Sequence, residues 1–455
     1  MTPRKPSVDT AVRETLRGQG ERLAFLAFIA GLLLIAFLAG FLVTERRLFP
    51  SAHLVRLEEA ARALWRAYFR ETYYVRPAPE GVDGTVPQVR MYDRARMSPG
   101  LTLVVGYRGN RFEAWLVDEE GREIHRWKLA FSEAFPTAPH LRWQAPDSRI
   151  AWQGVQLLPQ GDLLFNFQDT NFPYGSGLVR IDRDSNVVWR LAENTHHDLA
   201  FDDEGHLWAP GMSVVDDATA GNRHPWHYED EILEIAPEDG RVLRRLTVSR
   251  SAASFPGLLN ITYDSSLILD AEDPLHLNAV EPLPARIADR FPLFAPGDLL
   301  ISMRNSNTIA VLDRRSGLVK WALTGLFVRQ HDPDWMPNGH ILLFDNRGGA
   351  PPCSGSRILE IDPVSQQIVW QYDGAPDRCF YSETRGTVEL LPNSNVLVAD
   401  SHSGRVFEVT RETPPRLVWE YFNLLPERKD GKAQVGIVLH AARYARAELP
   451  FLSRP

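Results

Sequence analysis

At 455 residues, with 44% hydrophobic and 24% charged residues, the chain has a globular composition and enough length for a large core. A formal net charge of −8 supplies no basic footprint, so DNA and RNA are excluded as expected partners.

Residues 1–22 form a short tail carrying Arg4, Lys5, Arg13, Arg17 and Arg22. From Leu23 to Thr44 the chain has no charge and is rich in Leu, Ala, Phe, Ile and Gly, long enough for a transmembrane helix. The apolar run ends in Glu-Arg-Arg with no small-residue cleavage site, which predicts a retained anchor and not a signal peptide. Arg46, Arg47, Arg56 and Arg62 follow it, so the positive-inside bias is slight; the expected arrangement is a cytoplasmic tail and a periplasmic or extracytoplasmic body. Residues 45–96 are read as a juxtamembrane segment. Leu57, Ala61, Leu64 and Tyr68 recur at helical spacing between Leu54 and Tyr73, and Pro77 to Pro87 reads as a linker.

From 97 to 455 the pattern is short β runs separated by Gly, Asp, Asn and Pro. Several units pass through a turn to a last strand ending in Trp: Trp127, Trp189, Trp321, Trp370 and Trp419. Six such units, near 98–130, 150–190, 195–248, 274–325, 329–374 and 383–421, predict an all-β fold, a six-bladed β-propeller. The fourth carries an insertion in its first turn. The tail from Val435 is expected to supply a closing strand that removes a sheet edge.

A histidine recurs within the repeat. THHDLAFDDEGHLW places His197 eight residues before Gly205, and QHDPDWMPNGHILLF places His331 eight before Gly339. The same offset finds Gln153 before Gly161 and Gly386 before Ser394, and it selects His197 over His196. A buried His satisfied by backbone is the ordinary reading of any one of these; imidazoles in only some units argue against a role that every unit requires. The fourth unit brings His276 and Asn278 on its first strand and Arg304 on its second, so the three His could converge near one mouth of a channel. Strand alternation predicts that Asp332 points away from it. Cys353 and Cys379 are either one disulfide or two buried thiols, and no Cys/His spacing suits zinc, so no metal is expected.

The order HLN…ISMRNSNTIAVLD…VKW, then RQHDPDW…FDNRGG…SRILEIDP…VWQYDG…FYS, resembles the bacterial arylsulfate sulfotransferases from about Leu101 to Trp419. That resemblance implies sulfuryl transfer from a phenolic sulfate ester to a phenol, with a transiently sulfated histidine and no cofactor. It implies His331 as the nucleophile, His276 and Arg304 as binders of the transferred group, and His197 as the remaining channel His. The chemistry is consistent: a transferring sulfuryl group spreads charge over three oxygens, which a fixed guanidinium can hold. A second His, either His197 or His276, would act as acid and then base. Asn278, Asn346 and Arg347 are secondary substrate-binding candidates, although FDNRGG also reads as a turn. Trp152, Tyr174, Trp335 and Tyr381 are either core or an acceptor wall. Expected partners are the two small phenolic molecules and the membrane. Two other readings stand beside this one: a non-catalytic propeller binding a ligand or protein, and a quinone-cofactor oxidoreductase suggested by G-x-V-x-W endings. No Gly-rich phosphate loop opens a helix, which disfavours a nucleotide sulfate donor.

Overall fold

The computed structural model describes residues 26–42, 74–83, 88–141, 145–169, 175–215, 227–248, 273, 275–349, 353–374 and 379–453. It divides into two units, Met1–Glu71 and Thr72–Pro455. In the first, residues 26–42 are helical and leave Leu33 and Phe37 more than 60% exposed. No helix among the described residues is long and apolar enough to cross a membrane. The helix expected at 54–73 lies outside the described residues.

The second unit is mostly β. Among the described residues its strands form five four-stranded sheets, one five-stranded sheet and a three-stranded ribbon. Each larger sheet is antiparallel and built on a repeated hairpin turn, four of them as meanders of consecutive strands. The turn residue must adopt a left-handed backbone: φ is 95° at Gly161, 83° at Gly205 and 92° at Gly339, with Ser394 at 68°. At Gly339 a Cβ would also meet the Arg290 carbonyl at 2.6 Å, so only glycine fits there.

The first strands, Ala151–Leu157, Ala200–Phe201, Leu277–Pro282, His331–Trp335, Thr387–Leu390 and Val438–Tyr444, meet one another in a closed circuit. One link of that circuit is made by side chains: Gln156 Nε2 donates to Leu199 O (2.6 Å) and Asn166 Nδ2 to Asp198 O (3.2 Å). The expected closing strand is present, because Val438–Tyr444 pairs with Leu101–Arg108 and heads the first sheet. The insertion in the fourth unit folds as a 3-10 helix, Ala285–Arg290.

The strand-end tryptophans explain the repeat that first exposes the units. The indole N–H of Trp127 donates to Gly161 O, that of Trp189 to Pro237 O and that of Trp419 to Glu119 O, each at 2.9 Å and each on a turn of the following sheet. Each tie is worth about 0.5–1.5 kcal/mol net and fixes one sheet against the next. Two strands fall where the sequence suggests a juxtamembrane segment and linker. Val75–Pro77 pairs with Lys432–Gly436, and Val89–Tyr92 adds a fifth strand beside Leu417–Phe422. Both are short and carry Arg or Pro, so their polar pattern hides their pairing.

Candidate active site

The residues on the axis are aimed by β-bulges. Pairing slips between Gln153 and Gln156, Leu277 and Ala279, His331 and Asp334, and Val438 and His440. Near three of these slips, and in the Ala200 unit, φ turns positive: 55° at Gly154, 58° at His197, 55° at His276 and 53° at Asp332. A bulge inserts an extra residue and breaks the two-residue alternation, so consecutive side chains turn toward the same region. This corrects the expectation for Asp332. It lines the same axial cavity as His331, although the two make separate bonds: Asp332 Oδ2 accepts the Val388 N–H at 2.7 Å.

The positive φ at His197 also alters the equivalence of the adjacent histidines. Gln153 pairs with Asn166 and His331 with Phe344, whereas it is the His196 N–H that bonds Pro210 O at the matching place. His197 still faces the site, its ring 5.0 Å from His276 and 6.5 Å from His331. His196 is buried behind it, Nδ1 to Nδ1 at 2.8 Å.

A small cavity of about 40 Å³ is bounded by Gln153, His197, Asn278, His331, Arg385 and His440, among others. His331 Nδ1 lies 2.7 Å from Asn346 Oδ1 and 3.1 Å from Arg329 O, while the Arg385 backbone N–H approaches Nε2 at 3.3 Å. This pattern assigns the proton to Nδ1 and a lone pair to Nε2. Burial, the Arg304 guanidinium and His276 hold His331 well below the ordinary imidazole range, so it is neutral. Burial, then His196, His276, His331 and Arg304, do the same to His197. His197 is further held by Gln168, whose side-chain oxygen accepts its backbone N–H at 2.9 Å and whose amide nitrogen lies 3.3 Å from Nε2. His276 is buried and paired through Nδ1 with Asp273. Arg304 is buried beside it: its backbone N–H donates to His276 O at 3.0 Å and its Nη1 to Asn305 Oδ1 at 3.0 Å.

The secondary candidates divide. Asn346 is fully buried and holds His331 while its amide donates to Ser382 O and Arg385 O. Asn278 lines the cavity and donates to Gln330 O at 2.8 Å, and its Oδ1 has no partner among the described residues. Arg347 is drawn to Glu383 in a half-exposed ion pair and does not line this cavity. Trp152 stacks on Phe165 at 3.9 Å and Trp335 packs edge-on to Phe291, both in the core; Tyr381 is 47% exposed and Tyr174 lies outside the described residues. Cys353 and Cys379 form a disulfide. One group suited to a metal, Asp202, Glu204, His206 and Glu234, is present among the described residues, and the Arg314 guanidinium already binds its three carboxylates.

Arg385, His440 and Gln168 reach the site without notice from the sequence. His440 sits on the closing strand, whose hairpin partner is at the other end of the body, so no turn lies at the diagnostic offset. Arg385 acts through its backbone, which residue type does not reveal.

A second cavity, of about 240 Å³, shares Asp198, Asp332 and His440 with the first. It adds Glu281, Asp334 and Glu389, and among the described residues no Lys or Arg lines it. Burial raises Asp198 to about 6, Glu389 to about 7 and, with Asp198 adding repulsion, Glu281 to about 8. Asp332 and Asp334 are pushed well above the carboxylate range by burial and by their acidic neighbours.

The family described as Arylsulfotransferase (ASST) matches residues 154–423. No curated protein matches the chain. Among solved structures, a protein of unknown function from Bacteroides caccae is 12% identical, with 71% of this chain and 94% of that one covered at a TM-score of 0.45. The WD40 β-propeller domain of Doa1 is 12% identical over 76% and 91% at 0.40, and a catalytically inactive virginiamycin B lyase from Staphylococcus aureus 10% identical over 73% and 87% at 0.37.

Proposed function

The chain belongs to the arylsulfotransferase (ASST) family, and on that premise we propose that it moves a sulfuryl group from a phenolic sulfate ester to a phenol through a sulfohistidine. In this reading the six larger sheets are six propeller blades, and the reaction takes place where their first strands meet. The observation that carries it is the clustering of three imidazoles, His197 within 5.0 Å of His276 and 6.5 Å of His331, where His197 and His331 line one axial cavity, with His331 neutral and its Nδ1 bonded to Asn346.

His331 Nε2 attacks the sulfur of the donor; the N–S bond forms as the S–O bond to the aryl group breaks. The departing phenolate takes a proton from a second imidazole. The Nδ1–H of the sulfated ring remains bonded to Asn346, and Arg304 offers fixed positive charge to the sulfuryl oxygens. The acceptor phenol then returns a proton to the second imidazole, its oxygen attacks sulfur, and the N–S bond breaks. Two half-reactions sharing one intermediate give ping-pong kinetics.

The uncharged run at 23–44 supports a membrane anchor, and the Cys353–Cys379 disulfide supports an oxidising, extracytoplasmic setting for the body. Carbonate extraction of membranes and a topology reporter fused after Pro455 test both; a protein released by carbonate would sink the anchor.

The activity is tested with the purified full chain, 4-nitrophenyl sulfate and a panel of phenols. Wild type is expected to release nitrophenol in a phenol-dependent manner, and His331→Asn to lose about 10³-fold or more. A folded wild type inert toward every acceptor would favour a non-catalytic, ligand-binding propeller. Mass mapping of trapped sulfate checks the nucleophile separately, since sulfate on another residue would overturn the role of His331 alone.

A further inference from the structure

Resting on the sulfotransferase reading, we infer that Gln153 contacts the substrate, its amide N–H holding an oxygen of the transferred sulfuryl group in the donor and in the sulfo-enzyme alike.

Gln153 stands in the second unit where His331 stands in the fifth. It pairs with Asn166 on the next strand as His331 pairs with Phe344, and each is followed by a bulge. In the circuit of six first strands, theirs are three steps apart either way round. Gln153 is therefore across the axis from the nucleophile, and both residues bound the small cavity between them. Its place is fixed by close packing. Gly154 has a φ of 55°, and a Cβ there would meet the Asp198 backbone at 2.5 Å, while Gln156 Nε2 donates to Leu199 O at 2.6 Å. The strand that carries Gln153 thus lies directly on the segment that follows His197.

Four of the described glutamines are buried: Gln153, Gln168, Gln330 and Gln434. Three of them use their amide nitrogens. Gln168 sets its own against His197 Nε2, Gln330 bonds Ser302 Oγ, Met303 O and Thr308 O, and Gln434 bonds Lys432 O and Ala433 O. Gln153 is the exception, because its Nε2 has no hydrogen-bond partner among the described residues. A buried donor without an acceptor is unfavourable, and an acceptor that arrives with the substrate relieves it.

Volume identifies that acceptor. The cavity of about 40 Å³ has room for about three water-sized groups, whereas a benzene ring occupies a cavity of roughly 150 Å³. A sulfuryl group is three oxygens on one sulfur and fits; the aryl ring of either phenol stays outside. An amide has no proton to exchange in the working pH range, so its part is to bind and orient negative oxygens and not to act as acid or base. The contact persists as the N–S bond to His331 forms and the S–O bond to the aryl group breaks, and again as the acceptor oxygen takes the sulfur back.

The test measures the two half-reactions separately in the full chain: sulfo-enzyme formation from 4-nitrophenyl sulfate and from phenyl sulfate, and discharge of the sulfo-enzyme by phenol. Gln153→Met, of the same length without the amide, should slow all three by one common factor of about 10–10², because the sulfuryl group is common to them. The urea midpoint should stay level or rise, since no buried donor is left unpaired. A loss confined to one donor or one half-reaction would put the amide against the phenol and overturn the assignment. Common losses with a lowered midpoint would mark Gln153 as structural, and full rates would mean that only water meets its amide; either result overturns it. Should Gln153→Met fail to fold, Gln153→Glu decides: a carboxylate of the same shape set against sulfuryl oxygens must cost more than about 10²-fold at pH 8, and a retained rate would overturn the inference. Wild type inert to both donors would remove the sulfotransferase reading itself, and this inference with it.

Discussion

Two regions share the axis of this protein and differ in sign. One gathers His197, His276, His331 and Arg304; the other gathers Asp198, Glu281, Asp332, Asp334 and Glu389. They are built from the same strands, often from neighbouring residues: His197 precedes Asp198, and His331 precedes Asp332. A regular strand would send each pair to opposite faces. A bulge after His331 and the positive φ at His197 and Asp332 send both toward the axis, to adjoining depths. Burial then acts on the two sets in opposite senses, holding His197 and His331 well below the imidazole range and raising the carboxyls above theirs.

The largest expected contrast is in rate. Arg304→Lys should lower kcat about 10²-fold, because an ammonium cannot bridge two sulfuryl oxygens as a guanidinium fork does; Glu281→Gln, in the acidic cavity, should change it by no more than a few-fold. Comparable losses in steady-state assays would show that both cavities take part in the chemistry. Next, Asn346→Leu should lower the rate of sulfo-enzyme formation by about 10–10²-fold, the cost of losing the bond that fixes the His331 tautomer. Retention of the full rate would separate Asn346 from the nucleophile.

The acidic cavity should instead be visible in stability. Glu281 is held near 8 when folded and has an ordinary value of 4.5, so the folded state binds more protons than the unfolded state between these values. Its contribution to stability is therefore favourable below about 4.5 and is lost as pH rises toward 8. Glu281→Gln should stabilise the protein by about 1–3 kcal/mol at pH 8 relative to its effect at pH 5, by urea unfolding. A larger gain at pH 5 would reverse the assigned sign. The smallest effect is an absence of change: because His331 lies well below 6.5, the burst of nitrophenol should stay flat from pH 7 to pH 5. An inflection near 6.5 would show that the nucleophile titrates as an ordinary imidazole.

Much of the site is legible in the sequence because the repeat provides its own ruler. The offset to the turn glycine finds His197 and His331, and the irregular fourth unit adds His276, Asn278 and Arg304. What stays hidden follows from backbone events that residue type does not encode. The left-handed residue His197 makes His196, by its backbone bond, the counterpart of His331 while leaving His197 as the side chain that faces it. A left-handed backbone also brings Asp332 inward, and it lets Arg385 contribute an N–H in place of its side chain. Arg347 fails for the opposite reason: its charge is matched by Glu383, a residue far away in sequence. The strand-end tryptophans, which admit a cofactor reading, bond the next sheet's turn in three of the five cases, and that accounts for their recurrence.

The strand Val438–Tyr444 makes maturation of the site an all-or-nothing event. It follows every other described strand in sequence yet pairs with Leu101–Arg108, the earliest strand of its own sheet, and it brings His440 to the axis. Until it docks, that earlier strand waits with an open edge, a template for association with other chains. Joining the two ends of the body is a long-range closure, slow by the entropy of the loop it spans. The site is thus complete only after that closure, and a truncation before Val438 leaves an adhesive edge in its place.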